Sequence, residues 1–176
     1  GTDALANVRV GENVDILGPL GHGFTILPEA KHVVVVGGGI GNPPMLSLAQ
    51  VYGERATAIC GFRSANIATL QDEFHASGAE TILCTDDGTA GRQDLVTEPL
   101  KEQLAKGDVD MVYACGPRPM LKFVAAAAKE YAAKKGKVVE TEEEEENKPL
   151  SGIADRPYCK GRAYDPSRYA SGSKED

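Results

Sequence analysis

Residues 32–48 read HVVVVGGGIGNPPMLSL, a valine run that breaks into glycines and then into two prolines. A continuous β-branched run suits a strand covered on both faces. The glycines after it allow a cramped turn, and Pro44 suits the first turn of a helix, where a missing N–H costs no hydrogen bond. Strand, glycine turn and helix start together form the layout by which α/β proteins take a dinucleotide diphosphate. Absent side chains let phosphates reach the backbone, and the helix start favours their charge. The same turn also serves close packing of helix on strand, while Pro43 and Pro44 remove two amide donors where a phosphate would seek them.

Outward from this stretch the chain alternates short apolar runs with helix-length segments. Strands are expected at 32–36, 56–61, 80–84, 110–115 and 137–139, and helices at 44–52, 66–77, 95–106 and 119–135. Gly78, Gly107 and Gly136 each follow a helix, as C-terminal glycines do. Runs that are continuously apolar, not alternating, indicate a parallel sheet between two helical layers. The fold class is therefore α/β, a doubly wound five-stranded parallel sheet in the order 3-2-1-4-5.

Both ends of the chain depart from that rhythm. Residues 1–27 suggest a short helix within 1–10 capped by Thr2 or Asp3, an alternating strand at 13–17 and a Gly- and Pro-rich loop at 18–24. This piece reads as the C-terminal remnant of a preceding β-barrel, with the α/β domain at 28–140. Residues 141–176 open with the run Glu142 to Glu146 and continue as an irregular polar extension. Such a tail is ordinarily solvated; the alternative is that it lies along a partner subunit.

A length of 176 residues suits one main domain, and a net charge of -7 with a pI near 5.0 argues against a nucleic acid partner. No apolar run reaches the roughly 20 residues of a transmembrane helix. The four cysteines, Cys60, Cys84, Cys115 and Cys159, form no CxxC pair from which a zinc or iron-sulfur site could be read. Core-type reduced thiols and a reducing compartment, cytoplasm or mitochondrial matrix, fit them best.

Three further turns follow strands. Gly61-Phe62-Arg63-Ser64 stands where an acid would bind the adenine ribose; Arg63 and Ser64 would suit a 2′-phosphate, though an exposed Arg after a strand is unremarkable, so NAD and NADP both stay open. Asp86-Asp87-Gly88-Thr89 offers paired carboxylates for a metal or for acid-base work, and is more plainly a turn. Cys115-Gly116-Pro117-Arg118-Pro119-Met120 is a second cramped strand-to-helix turn. In the order 3-2-1-4-5 it faces the glycine turn across the switch point, where ligands bind in such sheets. No Ser/His/Asp hydrolase arrangement surrounds His22, His32 or His75.

Taken in order with Gly18-Pro19-Leu20-Gly21-His22-Gly23-Phe24 and Gly39-Ile40-Gly41-Asn42-Pro43-Pro44, these motifs resemble the ferredoxin-NADP reductase superfamily over residues 1 to about 140. Within it, the chain is similar to the electron-transfer subunit of dihydroorotate dehydrogenase. The resemblance implies a pyridine-nucleotide domain, binding NAD or NADP, that passes a hydride to FAD held mainly by an upstream barrel or another chain. It implies that Gly38, Gly39, Ile40, Gly41 and Pro44 cradle the diphosphate, and that Arg63, Ser64, Asp86 and Asp87 line the nucleotide site. Cys115 would act beside the nicotinamide with Gly116, Pro117 and Met120, and Gly1 and Thr2 would end the flavin-diphosphate loop. The cysteine-rich segment of the close relatives is replaced here by residues 142–176, so no iron-sulfur cluster is expected in this chain. Two functions follow: an NAD(P)H-binding component of a flavin-dependent electron-transfer oxidoreductase, or a non-catalytic subunit of a larger redox complex that keeps the fold, held through its tail.

Overall fold

The computed structural model describes residues 2–18, 20 and 23–135. Residues before Leu27 and the α/β domain that begins there are separate compact units. In the first, helix α1 spans Thr2–Ala6. The strand expected at 13–17 does not form: Val14, Ile16 and Leu17 are exposed, and no strand among the described residues pairs with them. Alternation alone does not make a strand, because its backbone groups need a neighbour across the ladder.

The α/β domain contains β1 (Val33–Gly38), α2 (Asn42–Tyr52), β2 (Ala56–Phe62), α3 (Gln71–Ala76), β3 (Glu80–Thr85), α4 (Thr97–Lys106), β4 (Met111–Cys115) and α5 (Arg118–Lys135). The four strands form a parallel sheet in the order β3-β2-β1-β4. This agrees with the first four positions of the expected order; the fifth strand, at 137–139, lies outside the described residues, as does Gly136.

The valine run explains why β1 is central. Val33 and Val35 face α2 and α3, packing with Met45, Leu48, Ala49, Tyr52 and Phe74. Val34 and Val36 face α4 and α5, packing with Val96, Leu100, Leu104 and Val124. All four valines are fully buried, each stabilising the fold by about 1.5–3 kcal/mol relative to exposure. Gly78 and Gly107 take the left-handed conformation after α3 and α4, φ 84° and 86°, as expected of helix-ending glycines.

The helix expected at 66–77 is broken. A 3-10 turn at Ala65–Ile67 is followed by extended backbone at Ala68, and α3 starts only at Gln71. Leu70, just before it, is left-handed at φ 66°. Its half-buried side chain packs against the α2–α3 core, and that burial offsets a backbone cost of about 1–2 kcal/mol.

The start of the domain is pinned to the sheet by polar groups. Leu27 N–H donates to Tyr52 Oη at 2.9 Å, and that hydroxyl shares a 2.8 Å hydrogen bond with Tyr113 Oη inside the core. Arg55 holds the Pro28 and Ala30 carbonyls, both at 2.8 Å, with its guanidinium 5.3 Å from the Tyr52 ring centroid.

Candidate functional site at the carboxyl edge of the sheet

β1 ends at Gly38, and a 3-10 turn at Gly39–Gly41 carries the chain into α2. The turn works because three glycines each meet a different demand. A side chain on Gly38 would place its Cβ 2.5 Å from Met120 Sδ. One on Gly41 would lie 2.0 Å from the Cys115 carbonyl oxygen and 2.8 Å from the Gly116 nitrogen. At Gly39 the demand is conformational: φ is 54°, and the space beside its Cα is open to 4 Å. The close approaches bind the turn to β4 and α5, and the open side at Gly39 is where a diphosphate could reach the backbone.

Gly38, Gly41, Cys115, Gly116, Pro117 and Met120 are thus brought together where β1 and β4 end side by side, with Gly37 paired to Cys115. This is the switch point of the sheet, since β2 lies on one side of β1 and β4 on the other. Cys115 is a free, half-buried thiol that packs against the α2–α3 core. Met120 packs instead into the core under α4 and α5, with its sulfur against Gly38. Ile40 is 93% exposed at the tip of the turn.

The N-terminus of α2 supplies less to an anion than its sequence position suggests. The Asn42 N–H bonds the Gly39 carbonyl, and Pro43 and Pro44, both exposed, have no N–H to give. Between the glycine turn and α2, amides for an anion could come only from residues 39–41, with the helix adding its dipole.

A second group gathers beside the first. Asp86 N–H donates to the Phe62 carbonyl (3.1 Å) and Asp87 N–H to the Arg63 carbonyl (3.2 Å), folding the β3 loop over the end of β2. Ala65 N–H donates to Thr89 Oγ1 at 2.8 Å, and that hydroxyl donates to Asp87 Oδ1 at 2.6 Å. With the Thr89 N–H also on it, the Asp87 carboxyl is held below its usual range. Asp86-Asp87-Gly88-Thr89 is therefore a hydrogen-bonded turn, as the plainer reading of the sequence has it. Arg63, Asp86 and Asp87 are exposed, and the Ser64 hydroxyl is engaged by the Asn66 side chain. No group of three or more His, Cys, Asp or Glu among the described residues could hold a metal ion.

Asn42 joins the two groups, and the sequence reading assigned it no role. It is fully buried, and its Nδ2 donates to the Gly39 carbonyl at 2.9 Å and to the Gly61 carbonyl at 3.3 Å. The signal was present: a short amide directly after a glycine turn is a residue that bonds local backbone. Of the residues expected at a flavin site, Thr2 stands exposed in α1 and Gly1 lies outside the described residues, as do His22 and Cys159.

No family model matches the chain. It is 44% identical over 130 residues to the electron transfer subunit of dihydroorotate dehydrogenase B (NAD(+)) from Enterococcus faecalis, a match covering 70% of this chain and 49% of that protein. The corresponding subunit of Fusobacterium nucleatum is 39% identical over 137 residues, covering 74% of this chain and 52% of that one. The chain thus spans about half the length of the relatives it matches. These are bacterial proteins and give no support to a mitochondrial location. Among solved structures, an NADH-dependent reduced ferredoxin-NADP oxidoreductase, studied for flavin-based electron bifurcation, superposes with a TM-score of 0.62 at 28% identity. That match covers 73% of this chain and 47% of the other. Over 130–137 residues, then, the chain is similar to the electron transfer subunits of dihydroorotate dehydrogenase B (NAD(+)), and it shares the fold of a ferredoxin-NADP oxidoreductase.

Proposed function

We propose that this chain is the NAD(P)H-binding component of a flavin-dependent electron-transfer oxidoreductase. The observation that carries the reading is the meeting of two cramped turns at the switch point. Gly41 lies against the Cys115 carbonyl while Gly39 stays open beside them. The diphosphate would lie on the backbone of residues 39–41, the adenosine toward Arg63 and Ser64, and the nicotinamide toward Cys115-Gly116-Pro117. The chemistry supplied by the bound groups is hydride transfer from the reduced nicotinamide to FAD. The chain's own part is to present backbone donors and hold the ring against Cys115 and Pro117. The flavin would be held upstream or by another chain, and no iron-sulfur cluster is assigned to this one. A catalytic subunit is the partner that the relatives' names imply, and the tail is the proposed contact.

NAD is favoured over NADP. The backbone of Asp86 and Asp87 is hydrogen-bonded to that of Phe62 and Arg63, which brings two acidic residues to the end of β2, where their charge would disfavour a 2′-phosphate. The names of the relatives point the same way.

A second reading, a non-catalytic subunit that keeps the reductase fold, is favoured by one feature: the first turn of α2 has no free amide to offer. Titration of NADH and NADPH into the full chain decides between them. Binding of NADH ahead of NADPH supports the first reading, and no binding of either at millimolar concentration refutes it. Absorbance near roughly 450 nm in the native complex, where any oxidised flavin absorbs, tests for the hydride acceptor.

A further inference from the structure

We propose that Asn42 is the positioning residue of the diphosphate turn, an inference that rests on the nucleotide-binding reading above. Its amide lies fully buried beneath the turn, with Nδ2 donating to the carbonyls of Gly39 and Gly61 while Oδ1 has no hydrogen-bond partner among the described residues. An orphaned acceptor in a buried site is a standing cost. A purely structural filler of that space, an apolar side chain, would not incur it.

Satisfying the Gly39 carbonyl does not explain the amide either. The backbone N–H of Asn42 already bonds that oxygen, so the side chain supplies a second inward bond to the same atom. A carbonyl has two lone pairs, and here both are engaged from the protein side. The consequence is directional. In a planar trans peptide the C=O of one residue and the N–H of the next point opposite ways. Holding the Gly39 oxygen inward therefore turns the Ile40 N–H outward, at the residue that stands 93% exposed. It also keeps a carbonyl dipole from facing an incoming phosphate. The bond to Gly61 ties this turn to the end of β2, so the diphosphate and adenosine ends of the site move as one.

A Cβ on Gly37 would lie 2.3 Å from Asn42 Oδ1, so the glycine at 37 leaves the room that the side chain occupies. Asn42 is then a positioning residue, not one that touches the nucleotide.

The test uses the full chain and two probes: NADH, and ADP, which carries the diphosphate without the nicotinamide. Losing one or two neutral hydrogen bonds from a preorganised turn corresponds to roughly tenfold in affinity. Asn42→Ala is therefore expected to bind both probes about tenfold more weakly, while its thermal midpoint stays within about 2 °C of wild type or rises, because the orphaned acceptor goes with the amide. A variant that loses stability but keeps wild-type affinity would show a structural role and overturn the proposal. A second measurement stands even if the variant does not fold. In wild-type chain labelled with nitrogen-15, the Ile40 amide resonance shifts downfield on adding ADP; an unmoved Ile40 amide with ADP bound overturns the proposal too. If wild type binds neither probe, the nucleotide-binding reading itself has failed, which needs no variant to see, and Asn42 loses its role with it.

Discussion

Replacing Gly41 by alanine isolates the contact that joins the two turns. Gly41 has ordinary right-handed backbone angles, φ -75° and ψ -11°, so alanine meets no conformational objection there. What it meets is the Cys115 carbonyl oxygen at 2.0 Å and its carbon at 2.4 Å, against an ordinary contact of at least 3.4 Å. Both are backbone atoms of a strand end paired to β1, and they cannot swing aside as a side chain would. The turns must part by about 1.4 Å, the shortfall from ordinary contact. Overpacking of this kind costs about 3 kcal/mol, or roughly 10 °C in the midpoint of a domain this size. A displacement above 1 Å in positioning groups corresponds to about 100-fold in rate, so NADH oxidation by the native complex should fall by that order. Gly39→Ala is the matched control, because nothing lies within 4 Å of its Cβ but φ is 54°. It should cost only about 1–2 kcal/mol and weaken nucleotide binding by filling the open side of the turn. Urea unfolding followed by circular dichroism, with NADH titration on the same samples, measures both. Gly41→Ala within about 0.5 kcal/mol of wild type, and with wild-type NADH affinity, would refute the close approach and the site built on it.

Tyr52→Phe removes the hydroxyl that accepts the Leu27 N–H and shares a hydrogen bond with the Tyr113 hydroxyl, and should destabilise the domain by about 0.5–1.5 kcal/mol in the same urea assay. Burial pushes the Cys60 thiol up to about 12 and the Cys84 thiol up to about 11, from an ordinary 9.0. A thiol whose folded value is raised stays protonated in the fold after the unfolded chain has ionised. These two therefore cost nothing below pH 9 and lower stability as pH rises from about 9 toward 12. Iodoacetamide at pH 8, read by mass spectrometry, should modify half-buried Cys115 ahead of both. Asp87→Asn removes one of the two carboxylates beside Arg63 and should raise NADPH affinity relative to NADH; an unchanged ratio of dissociation constants would remove the charge argument for NAD.

What the sequence made legible follows from where single residue types suffice. The valine run could only be a buried strand, and its even and odd members find separate cores. The Gly-Gly-Gly-Ile-Gly and Cys-Gly-Pro turns could be paired across the switch point once the order 3-2-1-4 was assumed, and the sheet has that order. The strand at 13–17 was misread because alternation says nothing about whether a pairing partner exists. The helix at 66–77 was overextended because helical propensity does not register a left-handed Leu70 stabilised by burial. Asn42 went unassigned for a different reason: its bond to the Gly39 carbonyl was locally readable, but its second carbonyl lies on β2, 19 positions away, and no local pattern reports that one.

The two ends of the sheet are held by opposite means, and this bears on where nucleotide chemistry can sit. At the amino edge, side chains do the joining. Asp110 takes the N–H groups of Lys31 and His32, while the His32 ring bridges Asp108 and Thr57, each at 3.1 Å, and draws the Asp108 carboxyl below its usual range. Such a network joins the strand ends through side-chain hydrogen bonds, not through close backbone contact. At the carboxyl edge the joining is backbone against glycine, with no side chain between β1 and β4 where Gly41 meets Cys115. Packing through bare backbone leaves peptide dipoles near the surface and unscreened by side chains, the condition for an anion to bind there. Asn42 is a fully buried polar side chain at that edge, and it bonds the Gly39 and Gly61 carbonyls instead of neutralising charge. The asymmetry explains why substitutions at the amino edge should act through stability, while those at 39–42 should weaken nucleotide binding as well, with Asn42→Ala weakening binding at near wild-type stability.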